Sequence, residues 1–191
     1  LCKSLEINPK EAWNVSRSRE QIGRLSNSEI STRILRFAHR PFDLKHIFYD
    51  RSLVWSLAHP VNRNLMKSGN LALVTSRQLA TPPWNHVFCT NTIVEMFLMS
   101  NKTKEGNHVF PLNVVLDEDD EQRSLGDAEI RPNFFAAFLN QLATAFDLPQ
   151  MKPHGLPRGV TPEDVFHYIY AVLHSPSYRN RYAEFLKIDF P

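Results

Sequence analysis

The spacing of apolar residues changes character near residue 132, and that change restricts the fold more than any other feature of the chain. Before it, short β-branched and aromatic runs are cut by Pro and Gly. After it, apolar residues recur at helical intervals. Ile30 to Phe37 alternates as a strand does, Arg40-Pro41-Phe42-Asp43 breaks it, and Lys45 to Tyr49 reads as its hairpin partner. Leu71 to Thr75, His86 to Thr90 and His108 to Leu116 read as further strands, the last interrupted by Pro111. Short helices are expected from Ser16 to Leu25 and from His59 to Lys67, the second closed by Gly69. Beyond 132, Phe134, Phe135, Phe138, Leu139, Leu142 and Phe146 mark one helix. Thr161-Pro162-Glu163-Asp164 supplies an N-cap, a first-turn Pro and acids at the positive end of the helix dipole. The helix it opens, Val165 to His174, is apolar on most sides and is expected to be buried. Ser175-Pro176 starts another, with Tyr178, Tyr182, Phe185 and Leu186 on one face. Strands first and helices last make an α+β fold: a strand-rich part over 1–131, with a mixed or antiparallel sheet, and a helical subdomain over 132–191 packed on it as one unit.

Chemistry is sparse. Six glycines at 23, 69, 106, 126, 155 and 159 are too scattered for a phosphate-cradling loop. Cys2 and Cys89 lack metal-ligand spacing, and Cys89, within Val87-Phe88-Cys89, reads as a buried thiol. His167 and His174 lie seven apart and read as core or supporting histidines. Asp117 to Glu121 reads as a solvated acidic loop, lacking the Gly turn of a calcium site. Thr81-Pro82-Pro83-Trp84 approximates an amino-methyltransferase tetrapeptide, in which a polar group and a carbonyl hold the target amine and a ring stacks on the flipped base. Here Thr opens it, and neither an apolar strand nor a Gly-rich loop precedes it. No catalytic residue, cofactor site or metal site is therefore assigned. No apolar run is long enough to span a membrane. The start, Leu1-Cys2-Lys3-Ser4, has neither an initiator Met nor the apolar stretch of a signal peptide and reads as a piece of a longer protein, while two cysteines that form neither a zinc site nor a disulfide scaffold fit a reducing cytoplasm.

Charge is more informative. The net charge is +2, yet residues 1–105 hold fifteen Lys and Arg against eight Asp and Glu, and residues 106–191 hold seven against twelve. Such segregation fits either a polyanion partner for the first half or an uneven surface. The cations cluster: Arg33, Arg36, Arg40 and Lys45 about the hairpin, Arg63 and Lys67 on a short helix, Arg77-Gln78 at a strand end with Trp84 and Asn85 close behind, and Lys102 and Lys104 beyond. Arg reads guanine bidentately, Gln and Asn read adenine, and Lys suits phosphate. For Arg40 and Asp43 a pair within the turn is the competing reading.

These residues carry a resemblance. Arg40-Pro41-Phe42-Asp43 followed by Ile47-Phe48-Tyr49-Asp50 resembles a signature in the C-terminal specificity region of type ISP restriction-modification enzymes. Asn70 to Gln78, Val109 to Leu112, Glu163 to Arg179 and Tyr182 to Lys187 are similar to the segments that follow it, so the likeness runs from about residue 12 to 190. His39, Leu44, Lys45 and Asn113 depart from the pattern. The resemblance implies a non-catalytic DNA target-recognition module. Its partners would be double-stranded DNA and the nuclease, translocase and adenine-N6 methyltransferase parts of one polypeptide, those parts using S-adenosylmethionine, ATP and Mg2+. The rival readings are a docking domain of the same enzyme and a piece of its methyltransferase.

Overall fold

The computed structural model describes residues 15–54, 56–66, 69–77, 83–99, 106–116 and 129–189. Two short helices come first, α1 (Val15–Gly23) and α2 (Asn27–Arg33). The second replaces the start of the strand expected from Ile30. Ser26 accepts from the Glu29 N–H at 3.3 Å while the Glu29 carboxylate accepts from the Ser26 N–H at 2.8 Å. This reciprocal cap pins the next seven residues as helix, and only at Ile34 does the backbone extend.

Strands β1 (Ile34–Arg40) and β2 (Asp43–Phe48) then form the expected antiparallel hairpin, in register from Ile34 opposite Phe48 to Arg40 opposite Asp43. Helix α3 (His59–Met66) leads through Gly69, at φ 86°, into β3 (Ala72–Ser76). Next come β4 (Val87–Thr90), β5 (Ile93–Val94) and β6 (Asn107–Pro111). The run expected as one strand around Pro111 is in fact two, because β7 (Asn113–Leu116) pairs with β8 (Glu129–Pro132) in a different sheet. The helical end holds α4 (Ala136–Phe146), a small hairpin of β9 (Gln150–Met151) and β10 (Leu156–Pro157), α5 (Pro162–His174), α6 (Pro176–Arg181) and a 3-10 turn over Phe185–Lys187. Helix α4 starts later than Pro132, which still belongs to a strand. Thr161 caps α5 as its sequence announced, reciprocally with Asp164. The result is a mixed fold of small sheets and helices, in the orders β2-β1-β5, β4-β3-β6, β7-β8 and β10-β9.

Two of the sheets close on each other. Leu35, Phe37 and Ile47 of the hairpin pack with Tyr49, Leu65, Ala72 and Ile93. Alongside, Ala38, Val74 and Leu98 form a second cluster. The opposite face of the β3 sheet carries Val87, which joins Trp84, Leu173 and Leu186. A fourth cluster links α4, β10 and α5 through Leu139, Leu156 and Val165. Ile169 lies against both of the last two, so α5 joins the helical end to the sheet. Yet α5 buries only Val165, Phe166 and Leu173, and Tyr168 is 68% exposed. It lies on the surface, where full burial was expected. Cys89 is exposed as well, since it sits opposite Leu73 and Val74 sits opposite Phe88, and strand alternation sends Cys89 away from the Ala72–Val74 face. Both His167 and His174 are exposed, not in the core. Cys2 and the acidic run at 117–121 lie outside the described residues.

Buried asparagines stitch α3 to the strands. The Asn70 amide donates to the carbonyls of Asn64 at 2.8 Å and Asn113 at 2.9 Å, and its oxygen accepts from the Asn113 N–H at 3.1 Å. Asn64 accepts from the Val115 N–H at 2.8 Å. Side-chain amides thus stand in for a missing neighbour strand beside β7. Nearby, Asn62 donates to the Leu57 carbonyl at 2.9 Å, and the Tyr49 hydroxyl donates to the same oxygen. Burial pushes the Tyr49 phenol up, and the bond from Asn62 draws it part of the way back. Asn70→Ala should cost about 1–3 kcal/mol for each backbone group it orphans, read as a lower urea midpoint with an unchanged slope.

Candidate nucleic-acid interface

The β1–β2 hairpin organises the cations. Leu35, Phe37 and Ile47 turn into the core, so by alternation Arg36 and its register partner His46 stand on the other face. Both are exposed, and neither has an ion-pair partner among the described residues. Strand β2 is at the sheet edge, so a two-stranded ribbon with one open side is available, an element of a size that enters a major groove.

The other sequence-predicted cations are engaged to different degrees. Arg33 meets Asp50 at 2.6 Å, with side chains 34% and 24% exposed. Arg40 meets Glu95 at 2.7 Å and also donates to the His39 carbonyl at 2.5 Å. Arg40 faces Asp43 across the turn, but its ion pair reaches 55 residues on in sequence, to the residue after β5. Asp43 is taken instead by Lys45, at 3.3 Å. Arg63, on α3, donates to the Val115 carbonyl of β7 at 3.4 Å. Arg77, just past β3, makes a forked contact with Asp189 at 2.9 and 3.4 Å. Lys67, Gln78, Lys102 and Lys104 lie outside the described residues.

Exposure separates these contacts chemically. Lys45–Asp43 and Arg77–Asp189 are 43–56% exposed. Such pairs are worth about 0–1 kcal/mol, so a phosphate or a guanine edge can displace the carboxylate at small cost. Arg33 and Arg40 are less accessible and each buttresses the hairpin. Lys45 and Arg77 are therefore the cations best placed to exchange partners, and the exposed Arg36 has no ion pair to give up among the described residues.

Trp84 is 4% exposed, packed on Val87, Leu173 and Leu186 with the Arg179 guanidinium 5.7 Å from its ring centre. It underlies a surface instead of forming one. That position also removes the stacking ring from the methyltransferase-like tetrapeptide, whose Thr81 and Pro82 lie outside the described residues. Asn85 is exposed at the rim of a cleft of about 400 Å3 between the Trp84 segment and α6, walled by His174, Arg179, Asn180 and Lys187. Arg179, absent from the sequence-based set, is held by the Leu173 carbonyl at 2.6 Å and lies 3.3 Å from His174 Nδ1. Burial raises the nearby Tyr170 phenol, as does Cys89, while Arg179 opposes them. His46 was missed too, although its place opposite Arg36 follows from the hairpin register. Among the described residues no three His, Cys, Asp or Glu side chains converge as metal ligands, and no helix is long and apolar enough to cross a membrane.

The class defined by this geometry is a mixed α/β module of small sheets with a helical end, its exchangeable cations on a hairpin and a strand end. The chain belongs to the Type ISP C-terminal specificity domain family, whose model matches residues 3–191. Among solved structures it is similar to a DrdV–DNA complex determined by cryo-electron microscopy, with 22% identity and a TM-score of 0.66 over 99% of this chain and 16% of that one. It is similar to the ATP-dependent Type ISP restriction-modification enzyme LlaBIII bound to DNA, with 21% identity and a TM-score of 0.63 over 97% of this chain and 11% of that one. A nuclease-deletion mutant of the Type ISP enzyme LlaGI, in complex with a DNA substrate mimic, matches with 21% identity and a TM-score of 0.54, over 84% of this chain and 12% of that one. The chain thus spans less than a fifth of each solved chain. No curated protein matches.

Hydrogen bonds from the Ser52 side chain and N–H, joined by the Arg33 charge, outweigh burial and hold the Asp50 carboxyl below its ordinary value. A depressed carboxyl stabilises the fold above its unfolded-state value, about 3.9, and that contribution is lost as pH falls through the lower folded value. Asp50→Asn should therefore cost up to about 1 kcal/mol at pH 7. The gap to the parent chain, followed by denaturation across pH, should close below about pH 4.

Proposed function

We propose that the chain is the double-stranded DNA target-recognition module of a restriction-modification enzyme that methylates adenine N6. Membership of the specificity-domain family over residues 3–191 carries this reading. The DNA complexes among its structural relatives, and the ribbon with displaceable ion pairs, support it. Lys45 and Arg36 would position the duplex through phosphates. Arg77 would read a base edge, with Gln78 and Asn85 as neighbours able to do the same. Arg33, Arg40 and Arg63 hold the elements that present them. Trp84 acts from beneath, and Lys67, Lys102 and Lys104 would add phosphate contacts. The module catalyses nothing itself on this reading. S-adenosylmethionine, ATP and Mg2+ serve other parts of the polypeptide, and the protein works in the cytoplasm, where its DNA is.

The helical end has a second part to play. Phe135 is 87% exposed and Phe146 57%, with Tyr168 and Ile188 also largely exposed. Large apolar side chains left open at this density suit a buried contact, here with the methyltransferase part of the same enzyme.

Methylation mapping of the source genome yields the target site, and binding of the intact enzyme to that duplex then tests the assignment. Arg77→Ala should lose about 1–3 kcal/mol on the cognate duplex and relax one base pair. Lys45→Ala should weaken all sequences alike and reduce the salt slope by about one. Unchanged cognate affinity would remove Arg77 from the interface, and an enzyme indifferent to DNA sequence would overturn the recognition role. Calorimetric titration of the chain with S-adenosylmethionine should show no binding, and appreciable heat would favour the methyltransferase reading instead.

A further inference from the structure

The hairpin tip breaks two rules at once. Pro41 and Phe42 connect β1 to β2. Phe42 has φ 65°, a left-handed conformation that turns assign to Gly or Asn after a Pro, because a Cβ there crowds the backbone. It is also 98% exposed, forgoing the burial that ordinarily rewards an aromatic ring. Its ring neighbour among the described residues is Phe88, edge-on at 6.4 Å, which steadies the ring without covering it. A residue that is both strained and unburied costs the free fold stability, and such outliers gather where a ligand makes use of them.

The surroundings say which ligand. By alternation along β2, Leu44, 50% exposed, shares a face with His46, and it follows Phe42 by two residues at the start of the strand. Lys45 lies beside the tip, its register partner Phe37 setting it on the other face of the ribbon from Arg36 and His46, and among the described residues its ion pair is with the half-exposed Asp43. An apolar point backed by cations fits a nucleic-acid duplex, with phosphates on the rim and a base step at the tip. It does not fit an apolar protein surface, on which Arg36, His46 and Lys45 would lose water for nothing. We propose, building on the recognition role above, that Phe42 is a wedge: it inserts into the base stack of the bound duplex and opens one step beside the recognition site, as apolar side chains do in proteins that kink DNA.

The test uses the intact enzyme and duplexes bearing 2-aminopurine at successive positions outside the adenine to be methylated. Wild-type enzyme should raise the fluorescence severalfold at one step and leave the others quiet. Phe42→Gly relieves the backbone strain, so the hairpin stays folded. It should abolish the signal and weaken binding about ten- to hundredfold, the range for loss of one stacked base. Phe42→Trp should keep both. If Phe42→Gly binds and unstacks as before, the wedge is refuted while target recognition stands. If affinity falls but no step brightens in the wild type, the ring meets a groove wall and insertion is refuted. If Phe42→Gly lowers the thermal stability of the enzyme without DNA, Phe42 docks on its own polypeptide and the wedge is again refuted. An enzyme that does not bind the duplex at all overturns both the wedge and the recognition role.

Discussion

Strand β3 is closed on every side, and the rest of the molecule is arranged around that fact. Its edges are taken by β4 and β6. One face meets the hairpin sheet through Ala72 and Val74, both with no exposed surface, and the other lies under the helical end. Burying a polar side chain without a partner is costly, yet β3 does so at its C-terminal end, where Thr75 and Ser76 are each 1% exposed and the Ser76 hydroxyl has no hydrogen-bond partner among the described residues. The residues that flank the strand carry its other polar contacts. Asn70, just before β3, satisfies β7 and α3, and Arg77, just after it, reaches Asp189. The strand therefore projects one end toward a structural seam and the other toward an exchangeable ion pair. Arg77 thus has a rigid base, at the end of a strand paired on both edges and packed on both faces.

What could be read from the sequence followed the range of the forces involved. The β1–β2 hairpin was legible because Pro41 and the flanking alternation are local, and α5 because Thr161 and Asp164 write a cap into four residues. Ser26 and Glu29 write the same cap for α2, but the alternation of Ile30, Thr32 and Ile34 obscures it, and a strand is read where a helix forms. Strands β5 and β9 have two residues each and cannot show a period. Cys89 looked buried because its neighbours are apolar. Only register, which depends on β3, decides which face it takes.

The same distinction governs the site. That cations gather on the hairpin was visible, whereas which of them are committed was not. Arg33, Arg40 and Arg77 find their carboxylates 17, 55 and 112 residues away, beyond any local pattern. The charge asymmetry between the halves is correspondingly softened in the fold, since Asp189 of the acidic half sits on Arg77 of the basic one. Net charge by segment therefore overstates the field, and the exposed cations occupy a smaller surface: the hairpin and a strand end.

Those ion pairs need not oppose binding. A free Lys or Arg on a surface samples many rotamers, and fixing it on a ligand costs about 0.5–1.5 kcal/mol. Lys45 and Arg77 are already held by exposed acids, at a net strength of about 0–1 kcal/mol. Exchanging that acid for a phosphate or a base edge keeps the side chain ordered throughout, so little further entropy is lost. The acid also discriminates. A weak, misplaced anion cannot outcompete a carboxylate already in contact, whereas a duplex that engages several such cations at once can. Pairing the cations in advance thus lowers the ordering cost for a matching surface and leaves a barrier against a poor one. Arg36, with no ion-pair partner among the described residues, lacks that advance ordering, so fixing it on a ligand carries the full rotamer cost.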